Sequence, residues 1–137
     1  MRKRTLFALA IAATVVVAAC SSGASLTGKT WQLTSMTKNV AEGLPALPVA
    51  QQANYTITFN TDLSLNIKAD CNTVGGTYVT TSSGGLTITL GASTKVACPE
   101  GSLADQYLAG LSSASSYTIV SNELTIVIPD GWSLIFK

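Results

Sequence analysis

The stretch YTITFNTDLSLNIK, residues 55–68, decides the fold class of this chain. Apolar and polar residues alternate with period two on either side of Asn60-Thr61-Asp62, a polar tripeptide typical of a turn. Since successive side chains of a strand point to opposite faces, the stretch predicts a β-hairpin with one buried face. That face would carry Tyr55, Ile57, Phe59, Leu63, Leu65 and Ile67.

The same alternation recurs on both sides of this hairpin and predicts further strands. One strand lies upstream, two hairpins turn at Ser82–Gly85 and Ser121-Asn122, and a closing strand follows Pro129-Asp130-Gly131. β-Branched and aromatic residues dominate these runs, as a half-buried pleated surface prefers. The inward positions are Trp31, Leu33, Tyr78, Leu86, Ile88, Leu90, Tyr117, Ile119, Leu124, Ile126, Ile128, Trp132, Leu134 and Phe136.

One segment has helical spacing instead. Ser102 followed by Asp105 resembles a capping box, so a helix of about three turns is predicted from Ser102 to about Ser113. The helix would pack one apolar face on the sheet. That face consists of Leu103, Tyr107, Leu108 and Leu111.

About eight short strands and one helix predict a mainly β domain, either a compact antiparallel β-sandwich or a partly closed barrel. The segment Thr37–Gln52 contains Gly43, Pro45 and Pro48 without a clear period, which predicts a long surface loop. A chain of 137 residues has room for one such domain.

The N-terminus has the features of a secretory signal. A basic Arg2-Lys3-Arg4 is followed by the uncharged apolar run Leu6–Ala19, which is too short to span a bilayer comfortably. The run ends in Val17-Ala18-Ala19-Cys20, which resembles the bacterial lipobox. That resemblance implies cleavage before Cys20 and acylation of this cysteine. An ordinary secretory signal with a coincidental cysteine, or a retained membrane anchor, is the alternative.

These features divide the chain into three predicted parts. They are a lipoprotein signal peptide at 1–19, the lipidated Cys20 with a flexible tether at 20–28, and the β domain at 29–137. Several acyl chains would hold the protein on a membrane surface in the cell envelope. Because Ser21, and not Asp, follows Cys20, we expect the outer membrane, facing the periplasm, if the organism is Gram-negative.

Charge excludes some partners. After loss of residues 1–19, five lysines, no arginine and seven acidic residues remain, so the mature chain is about two units negative. Without a basic patch, nucleic acid is not an expected partner. We expect a monomer that contacts the membrane through its acyl chains and an unidentified envelope protein.

Two cysteines remain once Cys20 carries lipid. Cys71 and Cys98 are an even pair in an oxidising compartment, which favours a structural disulfide over two free thiols. The chain contains no histidine, so no zinc site and no bound metal or cofactor is predicted.

Four features in order resemble the META domain of HslJ-like bacterial lipoproteins. The first is Trp31-Gln32-Leu33, and the last is the order of helix, hairpin and terminal strand. Between them stand the two cysteine motifs, whose positions matching the family signature are Cys71, Asn72, Gly76, Tyr78, Thr94, Ala97, Cys98 and Pro99. Asp70 and Val96 depart from the Gly and Met of the family pattern; Asp enters the left-handed backbone region at some cost.

This resemblance implies a compact β-rich fold with one helix. It also implies an envelope lipoprotein linked to heat shock or antibiotic tolerance, with no established catalytic chemistry. The residues agree: without histidine, Ser-His-Asp and Cys-His catalysis are excluded, and no catalytic residue is predicted. Asn72 and Asp70 flank Cys71 and allow two interpretations. They could form a polar recognition patch beside the disulfide, or Asn72 could bond the turn backbone and pin the chain for the disulfide. The second is favoured.

Two classes of function follow. The preferred one is a non-enzymatic envelope module that binds a partner through loops such as Thr37–Gln52, with protease inhibition by an exposed loop as a variant. The alternative is a binder of a small apolar ligand inside the barrel, which would need an open interior. An enzyme ranks third, since it would require an unrecognised cluster of carboxylates.

Overall fold

The computed structural model describes residues 24–38 and 47–137. The predicted signal peptide, the lipidation site Cys20, the tether residues 21–23 and loop residues 39–46 lie outside the described residues.

The described chain consists mainly of strands. They are β1 (Thr30–Lys38), β2 (Leu47–Pro48), β3 (Tyr55–Phe59), β4 (Ser64–Ala69), β5 (Asn72–Thr80), β6 (Leu86–Ser93), β7 (Ser116–Val120), β8 (Glu123–Val127) and β9 (Trp132–Phe136). A short 3-10 helix spans Gln52–Asn54, and one α-helix, α1, spans Ala104–Ser112. The predicted mainly β fold with one helix is confirmed.

The strands form one curled antiparallel sheet in the order β6-β5-β4-β3-β1-β9-β8-β7. β2 pairs with the second half of β1, beyond the point where β3 stops pairing. The outer strands meet at one point, where Leu86 N donates to Ser115 O (3.0 Å) and Tyr117 N donates to Gly84 O (2.9 Å). Of the two predicted architectures, the partly closed barrel is therefore correct.

The period-two alternation matches the core. Most side chains predicted to point inward from the long strands are buried. The exceptions within these strands are half-buried: Leu90 in β6, Tyr117 and Ile119 in β7, and Trp132 in β9. Helix α1 packs against β4, β6 and β9 and places Tyr107 and Leu111 fully inside. A Cβ on Gly110 would lie 3.2 Å from side-chain atoms of Ile128 and Leu134, so the glycine allows the helix its close approach.

Leu63 differs from its prediction as an inward strand residue. It is 51% exposed with φ +67°, and β4 begins only at Ser64. The side chain and the backbone N–H of Ser64 both donate to Asp62 Oδ1 (2.6 and 3.0 Å), which extends the turn through Leu63. These bonds also hold the pKa of the Asp62 carboxyl below its ordinary value.

The helix begins later than predicted. Its N-cap is Leu103, which makes no side-chain capping bond, and the helix is nine residues long. Ser102 Oγ accepts from Ala104 N (3.2 Å), so the predicted capping box with Asp105 does not form. Leu103 N is already bonded to the hydroxyl of Tyr55 (2.9 Å), a contact between distant parts of the chain.

Two segments assigned to linkers contribute to the folded domain. In the tether, Leu26 is buried, its carbonyl accepts from Trp31 Nε1 (2.9 Å), and Thr27 pairs with Phe59. In the predicted surface loop Thr37–Gln52, Thr37 is buried in β1. Val49 is buried as well and donates its N–H to Thr34 O (3.0 Å). The described ends of this loop are therefore anchored to β1 instead of lying free on the surface.

Tyr107 provides a test of the core. It is fully buried beside Tyr55 and Phe136, and its hydroxyl has no hydrogen-bond partner among the described residues. Because an unpaired buried hydroxyl costs about 1–3 kcal/mol, Tyr107→Phe should leave the free energy of unfolding unchanged or raise it by about 1 kcal/mol. Urea denaturation at pH 7 measures this; Tyr55→Phe, which loses a bonded hydroxyl, should destabilise by about 1 kcal/mol.

Tyr107→Phe should also change how the stability of the protein depends on pH in alkaline solution. Burial raises the pKa of the Tyr107 hydroxyl well above its ordinary value of 10.0. As pH rises above 10, the unfolded tyrosine ionises while the folded one stays neutral, so the wild type loses stability there. Tyr107→Phe should show a smaller loss between pH 9 and 11. An equal loss in both proteins would contradict this assignment.

Candidate functional site

The two cysteine motifs meet where β5 begins and β6 ends. Cys71 and Cys98 form a disulfide with Cα atoms 5.4 Å apart, within the range that a disulfide requires. The bond connects the β4–β5 turn to the segment that leads from β6 into α1. The predicted pairing is confirmed. We call this region, residues 70–73 and 94–98, the cysteine junction.

Asn72 holds the two halves of the junction together. Its Oδ1 accepts from Val96 N (2.8 Å) and from Thr94 Oγ1 (3.0 Å), while its Nδ2 donates to Val96 O (3.0 Å). The amide thus bonds both backbone groups of Val96, as a neighbouring strand would. Asn72 therefore holds the chain in place at the disulfide, as predicted. It does so by bonding residues 94–96, whereas the prediction named the backbone of the adjacent turn.

Thr94 continues the pairing of β5 and β6. Thr73 N donates to Thr94 Oγ1 (3.0 Å), and Thr94 N donates to Thr73 O (3.0 Å). Asp70 precedes the disulfide with φ +56°, the left-handed conformation that suits the glycine of the family pattern. Its N–H donates to Asn54 O (2.7 Å), which joins the turn to the 3-10 helix.

The other motif residues lie elsewhere or carry no comparable contact. A Cβ on Gly76 would lie 2.6 Å from Thr89 O, so only glycine fits there. Tyr78 donates its hydroxyl to Asn60 O (2.8 Å), and burial raises the pKa of that hydroxyl. Trp31 is fully buried near the start of β1, whereas Ala97 and Pro99 are exposed in the segment after β6. The family motif residues are therefore spread over the domain instead of forming one pocket.

A groove that the sequence did not predict opens beside the junction. It has a volume of about 360 Å³ and lies between residues 48–51 and 99–103, with Asp70 and Tyr55 at its sides. Both flanking segments contain proline or glycine, which is the only local signal of this surface. A second groove, of about 310 Å³, separates α1 from β9 and is lined by apolar side chains that include Met36, Trp132 and Leu134.

The described residues contain neither a cluster of potential metal ligands nor a helix that could cross a membrane. Within residues 24–38 and 47–137, no three acidic or cysteine side chains gather into a group that could hold a metal ion. The same residues include no helix with the length and apolar character needed to cross a membrane. In the junction, the side chains of Asn72 and Thr94 are bonded to each other, and Asn72 also bonds the backbone of Val96.

Fold and junction together define a small antiparallel half-barrel whose open side is filled by one helix. The chain belongs to the META domain family, whose profile matches residues 24–137. This confirms the resemblance seen in the cysteine motifs, and the match begins before the predicted domain start at Lys29, in agreement with the buried Leu26.

Solved structures share the fold. A protein from Burkholderia xenovorans is 25% identical, with a TM-score of 0.64 and coverage of 82% of both chains. A DUF4847 family protein from Bacteroides vulgatus ATCC 8482 is 16% identical, with a TM-score of 0.59 over 81% of this chain and 92% of that one. A third structure is 22% identical, with a TM-score of 0.57 over 79% and 86% of the two chains. No curated protein matches this sequence.

The Asn72 amide is expected to stabilise the junction. Asn72→Ala removes its three bonds to Thr94 and Val96, so the free energy of unfolding should fall by about 1–3 kcal/mol. Asn66→Ala, at an exposed position of β4, is the matched control and should change it by less than about 0.5 kcal/mol. Equal effects of the two substitutions in urea denaturation would contradict this role.

The disulfide closes a loop with a sequence separation of 27 residues. The chain-entropy relation gives about 3–4 kcal/mol for a loop of this length, so Cys71→Ser with Cys98→Ser should lower the free energy of unfolding by about that amount. Comparison of the oxidised wild type with the double variant, both without reductant, measures the loss. No change in the midpoint of denaturation would show that the bond does not constrain the unfolded chain.

Proposed function

We propose that this protein is an envelope lipoprotein, anchored by acyl chains on Cys20, whose META domain is a non-enzymatic binding module in the response to envelope stress. The observation that carries the proposal is the continuity of anchor and domain. Leu26, only six positions after Cys20, is already buried in the domain core. A lipidated Cys20 would therefore hold a folded domain directly at a membrane surface.

The contacts of the polar residues support a binding role over catalysis. Asn72 and Thr94 are bonded within the cysteine junction, and Asp62 organises the β3–β4 turn. An enzyme needs a nucleophile or a proton acceptor free to meet substrate, with a partner to activate it. The chain has no histidine to supply such a partner. The chemistry-bearing side chains are thus used to build the fold.

The packed interior argues against the alternative of a small apolar ligand inside the barrel. Such a ligand needs a cavity, whereas the largest fully buried side chains fill the space between the curled sheet and α1. They are Trp31, Tyr107, Phe59 and Phe136. A ligand would have to displace core side chains, so a surface-binding module fits these contacts better.

The groove at residues 48–51 and 99–103 is the surface that we assign to the partner. Its residues 48–51 belong to the loop Thr37–Gln52, which is predicted to bind the partner, and the Cys71–Cys98 disulfide fixes one of its walls. A groove held by a covalent bond and by the Asn72 amide is preorganised, which lowers the entropy cost of binding.

The anchor is tested by Cys20→Ser. The wild type should be recovered in the membrane fraction with an acylated N-terminal peptide, whereas the variant cannot be acylated at position 20. Variant protein that has lost residues 1–19 should therefore move to the soluble fraction. Membrane fractionation with mass spectrometry of the N-terminal peptide measures position, cleavage and acylation. Retention of the cleaved variant on membranes, or a wild type without acylation, would contradict the proposed anchor.

The partner is tested by crosslinking from membranes, using the wild type and Cys20→Ser in parallel. A specific envelope protein captured by the anchored form alone would identify the target. Substitution of Gln51 and Glu100 by alanine, both exposed beside the groove, should reduce that capture, whereas Lys68→Ala on β4 should not. Equal capture by all variants would remove this groove as the binding surface.

A further inference from the structure

We propose that the end of the barrel from which the N-terminus emerges docks on the lipid bilayer, with the exposed side chains of Leu63 and Val120 in the membrane interface. This inference rests on the lipid anchor proposed for Cys20. It adds a second contact between the protein and the membrane, made by the folded domain itself.

The length of the connecting chain restricts where the domain can sit. Three residues, 21–23, stand between Cys20 and Ala24, the first described residue, so four Cα–Cα steps join the two. A fully extended chain of this length reaches about 14 Å. The acylated cysteine therefore lies within that distance of Ala24, and the surface around Ala24 must face the bilayer closely.

Contacts of residues 24–30 show which turns share that surface. Thr27 pairs with Phe59, directly before the turn at residues 60–63. Lys29 Nζ donates to Asn122 Oδ1 (2.7 Å), which brings the β7–β8 turn alongside. We call residues 24–30 with the turns at 60–63 and 121–122 the tether end.

Exposed apolar side chains are concentrated at the tether end. Four large hydrophobic residues of the described chain are strongly exposed. Leu63 (51%) lies in the 60–63 turn, and Val120 (68%) directly precedes the 121–122 turn. Val79 (61%) follows Tyr78, whose N–H donates to Leu63 O (3.0 Å). Only Val96 (59%) lies at the opposite end, in the cysteine junction.

The backbone conformation of Leu63 is a second indication that its side chain contacts lipid. Its φ of +67° lies in the left-handed region, which glycine, asparagine and aspartate adopt more readily than leucine. A leucine here combines backbone strain with an apolar side chain in solvent, two costs that a small polar residue would avoid. Contact with lipid would remove the cost of exposing the leucine side chain to water, which explains why an apolar residue stands at position 63.

The charges of the tether end favour apolar insertion over attraction to anionic lipid. Lys29 is bonded to Asn122 and lies over the ring of Trp31 (3.6 Å). Lys137, bonded to Gln32 through its backbone, pairs with Glu123 (3.6 Å). The negative charges of Glu123 and Asp62 therefore balance the positive charges of Lys29 and Lys137 at this end. The domain should therefore dock on a zwitterionic bilayer, and the cysteine junction at the other end then faces away from it.

The test places a tryptophan reporter at each end of the lipidated, full-length mature protein. Leu63→Trp, Val120→Trp and Val96→Trp are reconstituted in phosphatidylcholine vesicles with and without bromine on the acyl chains. Bromine quenches tryptophan only at close range, and the wild type corrects for Trp31 and Trp132. We expect emission of the added tryptophan to fall at least about two-fold at positions 63 and 120. At position 96, the matched control of similar exposure, it should not change.

Flotation of the wild type with the same vesicles separates the two proposals. If the wild type does not float, the lipid anchor is wrong, and docking falls with it. If it floats but positions 63 and 120 are quenched no more than position 96, the anchor stands and docking is overturned. Hydrogen exchange of the wild type tests docking without any substitution that could disturb folding. Backbone amides at 61–63 and 120–123 should exchange more slowly on vesicles than in detergent. Equal exchange rates would overturn docking.

Discussion

Insertion of α1 into the curled sheet is the interaction on which the rest of this structure depends. The outer strands β6 and β7 meet only near Gly85 and Ser116, so the sheet alone would leave an open side. Tyr107 and Leu111 fill that side with fully buried side chains, and Gly110 allows the helix to approach Ile128 and β9 closely. Burial of this helical face supplies the hydrophobic free energy that holds the sheet in its curved form.

The cysteine junction follows from the same constraint. The chain must leave β6 and return across the barrel before α1 can enter it, and the connecting residues 94–103 form no regular helix or strand. Outside a helix or strand, backbone groups have no regular hydrogen-bond partners, and side chains can supply them. Asn72 bonds both backbone groups of Val96, and the disulfide fixes Cys98, so the connection is held where α1 requires it. Asn72 and the two cysteines of the family pattern are therefore explained by the architecture.

The two ends of the barrel have different characters. One end carries the N-terminus, Leu63 and Val120, and the other carries the cysteine junction with its groove. This polarity is a property of the strand register, because β1 begins at one end and the β4–β5 turn lies at the other.

The sequence by itself determined that the domain consists mainly of strands with one helix, and it favoured a disulfide between Cys71 and Cys98. Alternation and helical spacing are local patterns, and the two cysteines form an even pair once Cys20 is assigned to lipid. Only the tertiary structure decided that the sheet closes as a half-barrel, that Leu26 belongs to the core and that Asn72 bonds residues 94–96. It also moved Leu63 out of its strand and the helix start to Ala104. The closure of the sheet and the bonds of Asn72 depend on contacts between residues distant in the chain, which no local pattern can encode. The turn through Leu63 depends instead on local bonds from Ser64 to Asp62, which compete with the period-two pattern.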